Sequence, residues 1–147
     1  MARALLLTTL LFLSLPALAR DREVSFLAMD VWIDSGDQPL AAYQVEIHYD
    51  KRTTKIVGIE GGATKAFNGA PHYDAKGMEG GRIVLAAFTK DDEAAPIGNS
   101  RVGRIHLQVE GLQEPALSIQ LISAATTGGD RIKPKPQFKN SKTEEGE

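Results

Sequence analysis

From Leu40 to Asp50 the chain reads Leu-Ala-Ala-Tyr-Gln-Val-Glu-Ile-His-Tyr-Asp. Tyr43, Val45, Ile47 and Tyr49 fall on one side, and Gln44, Glu46, His48 and Asp50 on the other. A period of two marks a strand with one side in a core and one in water. Val102 to Glu110 repeats it, with Ile105, Leu107 and Val109 alternating against Arg104, His106, Gln108 and Glu110. Two such strands predict antiparallel pairing with a wet face. Val24 to Ile33, Ile56 to Ile59, Ile83 to Phe88 and Leu117 to Ile122 are apolar on both sides and read as inner or doubly covered strands. Ser35-Gly36-Asp37, Gly61-Gly62, Asn68-Gly69, Gly80-Gly81, Ile97-Gly98-Asn99 and Gly128-Gly129 punctuate them, leaving no room for an amphipathic helix longer than about two turns. The predicted class is all-β: a two-sheet antiparallel β-sandwich of jelly-roll type.

The ends read differently. Met1-Ala2-Arg3 sets one positive charge before an apolar run from Ala4 to Leu15; Pro16 and the small residues Ala17 and Ala19 follow. This is the layout of a secretory signal over residues 1–19, cleaved before Arg20, because a run of about 12 apolar residues falls short of the roughly 20 that a spanning helix needs. The sandwich is expected over residues 20–127. From Gly128 the composition turns to Lys, Pro and Glu, so 128–147 is expected to be a flexible polar tail. The long connection from Gly61 to Gly81 is expected to fold back over one end or edge, with Phe67, His72 and Tyr73 as loop candidates for recognition.

Charge and composition narrow the function. The 147 residues carry a formal net charge of −2, too little to track a phosphate backbone, so nucleic acid is an unexpected partner. There is no cysteine, which excludes thiolate metal sites, lipid attachment through cysteine and disulfide bracing. The expected product is an exported soluble domain, periplasmic or extracellular, with no membrane span in its mature form.

Three stretches then bear on family. Ala41 to Asp50 is an alternating strand ending in Tyr-Asp; Lys55-Ile56-Val57-Gly58-Ile59-Glu60-Gly61-Gly62 follows it; Gly81 to Phe88, a polar loop and Gly103 to Val109 supply a later pair. In this order they resemble the cohesin family of secreted β-sandwich modules, which shares its architecture with some carbohydrate-binding modules; the likeness runs from Glu23 to Ala125. The resemblance implies a non-catalytic module that binds an exported protein, dockerin-like or of the cell envelope. The candidate face is Gln44, Glu46 and His48, joined by Arg104, His106, Gln108 and Glu110 if the two alternating strands share a sheet.

Other chemistries find less support in the residues. His48, His72 and His106 lack the spacing of a metal motif, and Lys90-Asp91-Asp92-Glu93 lacks the oxygen-ligand rhythm of a calcium loop, so no metal or cofactor is expected. No serine sits in a nucleophile elbow and no glycine run cradles phosphate, so no catalytic residue is assigned. A carbohydrate-binding module is the first alternative, with Tyr73 and Phe67 as the available stacking platform, since Trp32, Tyr43 and Tyr49 share strands with core positions. The second is an envelope structural or assembly component that adds an unpaired edge strand to a neighbour's sheet.

Overall fold

The computed structural model describes residues 23–141. The signal segment 1–19 and the last six positions of the expected tail, 142–147, lie outside the described residues. Among the described residues seven strands follow one another: β1 (Val24–Asp34), β2 (Ala42–Tyr49), β3 (Thr54–Gly61), β4 (Arg82–Phe88), β5 (Asn99–Glu110), β6 (Leu117–Ala125) and β7 (Lys135–Asn140). The 3₁₀ turn Lys65–Phe67 and a four-residue helix, α1 (Gly77–Gly80), lie between β3 and β4. Every pairing is antiparallel. One sheet has the order β3-β5-β1-β7, the other β4-β2-β6.

The core lies between the two sheets and is built by the alternation read from the sequence. Tyr43, Val45 and Ile47 of β2 face Ile105, Leu107 and Val109 of β5 across it, all buried together with Val31, Ile33, Ile83 and Leu85. The 61–81 connection packs back as expected. Gly62 donates its N–H to the Phe67 carbonyl at 2.5 Å, and this tight turn drives the Phe67 ring into the core, edge-on to Tyr43 with centroids 5.2 Å apart. Glycine is required at the turn: a Cβ on Gly61 would strike the backbone carbonyl of Asn68, and one on Gly62 that of Arg101. Further on, the His72 backbone pairs with Ala86 in both directions, at 2.8 and 3.0 Å, and so covers the outer side of β4.

Three expectations need correction. The two alternating strands do not share a sheet: β2 is the middle of the three-stranded sheet and β5 an inner strand of the four-stranded one. Their polar sides therefore point away from each other, on opposite surfaces of the sandwich. Of the segments expected to be inner or doubly covered strands, only β1 is internal; β3, β4 and β6 lie at edges, and their second apolar side is left open, with Val57, Phe88 and Ile122 exposed. The expected tail is folded at least to Ser141: Lys135–Asn140 pairs with Met29–Asp34, and Phe138 packs against the core. Lys and Pro at an edge strand are compatible with pairing on one side only, a use that composition does not separate from a solvated tail.

Candidate functional site

The outer face of β4-β2-β6 is laid out by its register. Arg82, His48 and Ser118 form one row across the three strands; Val84, Glu46 and Gln120 the next; Ala86, Gln44 and Ser123 the third; and Phe88, Ala42 and Ala125 the last. Alternation within each strand turns these residues outward while Ile83, Leu85, Val45 and Ile47 go to the core. Glu46 is the hub. His48 Nε2 lies 2.5 Å from Glu46 Oε1, Gln120 Nε2 donates to the same oxygen at 2.9 Å, and the Arg82 guanidinium pairs with Oε2. The hydrogen bond with His48, then those with Arg82 and Gln120, hold the Glu46 carboxyl well below the usual range, at about 2. Although it faces outward, the residue is only 8% exposed, screened by these partners. The partners themselves remain open, with the side chains of Arg82 and His48 59% and 46% exposed.

At the alanine end of the same face lies a cavity of about 380 Å³, lined by Ala42, Gln44, Ala86, Phe88, His72 and Arg131 among others. Phe88 and Ile122 remain largely exposed on this sheet. Polar donors in the middle and an apolar recess at one end are therefore contiguous, a mixture suited to a protein surface more than to a small polar substrate.

The other half of the expected face sits across the molecule. Arg104, His106, Gln108 and Glu110 lie outward on the four-stranded sheet. Arg104 closes there on Asp30 through Nε–Oδ1 at 2.7 Å and Nη2–Oδ2 at 3.1 Å, and Arg101 Nη1 approaches the same carboxylate at 3.6 Å. His106 Nε2 lies 2.9 Å from Glu60 Oε1 without hydrogen-bond alignment. Lys139 Nζ sits 3.9 Å from the Trp32 ring centroid, so that indole is covered by a cation. Among the loop candidates, Phe67 is corrected: it is a core residue, 1% exposed, and offers no recognition surface. This removes half of the proposed sugar-stacking platform. His72 is exposed and lines the cavity beside β4, and Tyr73 is exposed next to it. Asp91 of the acidic loop pairs with Lys65 at 3.1 Å and accepts the Glu93 N–H, which closes a turn.

Sequence reasoning missed Arg82, Gln120, Phe88 and Arg131. The first three occupy the outward positions of β4 and β6 and become visible once those strands are flanked to β2. Arg131 reaches the cavity from the β6–β7 connection and carries no local signal. No helix among the described residues is long and apolar enough to cross a membrane.

The same sandwich occurs in solved structures of low sequence identity. A chain of a type I cohesin–dockerin complex from Clostridium thermocellum superimposes with a TM-score of 0.58 at 13% identity, over 78% of this chain and 87% of that one. The fold is cohesin-like. A non-cellulosomal cohesin from the hyperthermophilic archaeon Archaeoglobus fulgidus gives 0.59 at 17% identity, over 80% of this cohesin-like chain and 82% of its own. The seventh ScaB type I cohesin from Pseudobacteroides cellulosolvens gives 0.54 at 10%, over 76% and 80%. No family model matches the sequence, and no curated protein matches it significantly.

Proposed function

We infer that the protein is an exported, non-catalytic binding module that recognises another exported protein through the outer face of β4-β2-β6. The observation that carries this reading is the Glu46 hub. One carboxylate with three partners, drawn from all three strands, fixes the exposed guanidinium of Arg82 and imidazole of His48 in place before any partner arrives. Such groups give orientation and specificity. The recess beside Phe88 and His72 offers the desolvated apolar contact from which interface affinity mostly comes. A dockerin-like segment is the partner we favour, because two of the structurally similar chains belong to cohesin–dockerin complexes. Gln44, Glu46 and His48 stay in the site, joined by Arg82 and Gln120. Arg104, His106, Gln108 and Glu110 do not, since β5 lies in the other sheet.

The test is calorimetric titration with dockerin-bearing proteins from the same genome. Arg82→Ala is expected to weaken binding at least about tenfold, the loss typical of an interface anchor. Gln108→Glu on the opposite face is expected to leave it unchanged. Equal losses for the two variants, or binding lost only in the second, would overturn the assignment of the face.

A further inference from the structure

Among the described residues the sandwich has four edge strands, and an edge presents a row of backbone N–H and C=O groups that proteins normally guard. Three are guarded here. β3 carries Lys55 and Glu60 and a register break between Ile56 and Gly58. β7 carries Lys135, Pro136 and Lys139. β4 has its outer side taken by His72 at Ala86. The fourth, β6, reads Leu-Ser-Ile-Gln-Leu-Ile-Ser-Ala-Ala from Leu117 to Ala125, without a charge or a proline.

The open stretch of β6 is bounded on both sides. Pro115 precedes it, and beyond it Ile132 N donates to Ala124 O at 3.1 Å while Arg131 bridges Ala125. Between these bounds, no backbone partner lies on the outer side of the strand among the described residues. The sequence of that stretch is symmetric in kind: Leu117-Ser118-Ile119-Gln120-Leu121 reads the same from either end, apolar and polar alternating about Ile119. Leu117, Ile119 and Leu121 are half-buried on the core side; Ser118 and Gln120 are exposed on the outer side. A register break at Ile122 ends the regular ladder just after Leu121.

We propose that β6 is a self-association edge at which two copies of this chain pair antiparallel about Ile119. A two-fold axis at Ile119 sets it opposite the partner's Ile119. Ser118 then meets the partner's Gln120, and Leu117 the partner's Leu121. Each opposed pair is of matching chemistry, and the partly buried apolar rows of the two copies meet edge to edge. A foreign strand would need no such symmetry. The two three-stranded sheets become one of six, ordered β4-β2-β6-β6-β2-β4. Its new ends are the β4 edges that His72 already covers, so assembly closes at two copies and does not run on into a filament. The dimer would also set two Glu46 hubs on one continuous surface, a route to avidity for a partner with repeated motifs.

Analytical ultracentrifugation of the purified protein is expected to show a reversible monomer–dimer equilibrium. Ser118→Lys, an exposed position, is expected to shift it to monomer with an unchanged circular dichroism spectrum. Because the chain has no cysteine, the register can be read chemically. Mild oxidation of Ser118→Cys protein mixed with Gln120→Cys protein is expected to yield a disulfide-linked dimer at least about tenfold above either variant alone, since directly opposed Cβ atoms lie about 5 Å apart and diagonal ones farther. A wild-type protein that stays monomeric up to about 1 mM overturns the proposal. So does a dimer that Ser118→Lys leaves intact, or a mixture that cross-links no better than its components.

Discussion

Asp30 on the four-stranded sheet and Glu46 on the three-stranded sheet are both outward-facing acids screened from water, and both sit among basic groups. Their partners differ. Arg101 and Arg104, which close on Asp30, have side chains only 20% and 28% exposed, and Asp30 itself is fully buried. Arg82 and His48, which close on Glu46, keep about half of their surface in water. The first cluster is spent on holding β1 to β5. The second positions groups that remain available. The contrast supports the proposed reading, because only the Glu46 clamp leaves its basic partners exposed to meet another protein.

Substitutions separate the two clusters, and the largest effect is expected at Asp30. Asp30→Ala leaves two arginines without their buried counter-charge and is expected to cost about 3–5 kcal/mol in denaturant unfolding. A loss near zero would place that pair among ordinary surface contacts. Arg82→Ala is expected to act mainly on recognition: partner affinity falls while the melting temperature drops far less than in Asp30→Ala, because the guanidinium side of the pair stays in water.

Acid offers a finer division. The Glu46 carboxyl titrates at about 2 in the folded protein against an ordinary 4.5, so between those values the unfolded chain binds the extra proton. Its stabilising contribution is complete above pH 4.5 and is lost as pH falls toward 2. Asp50, held near 2 chiefly by its hydrogen bonds from Arg52, follows the same course. Melting curves from pH 5 to 2 are expected to fall less steeply in Glu46→Gln, with the Asp50 share remaining. An identical slope in that variant would mean the hub does not persist in solution. The smallest effect is expected for Gln108→Glu, within about 0.5 kcal/mol of wild type, as for most surface changes.

Much of this was legible before any coordinates. The alternations of β2 and β5 placed Tyr43, Val45, Ile47, Ile105, Leu107 and Val109 in the core and set Glu46 and His48 outward, because successive side chains of a strand point to opposite faces whatever surrounds it. The all-β class and the fold-back of the 61–81 connection followed from glycine spacing. Lateral order was not legible. Period two says which way a side chain points, and nothing about which strand lies alongside. The Glu46 hub, whose other members come from Arg82 and Gln120 far along the chain, thus required the β4-β2-β6 pairing itself. The same holds for Phe67, a loop aromatic by sequence that a tight glycine turn delivers into the core, and for β7, whose Lys and Pro suit an edge strand and a tail equally. Local periodicity follows from the geometry of one strand; neighbourhood is decided by how the whole chain closes its two layers.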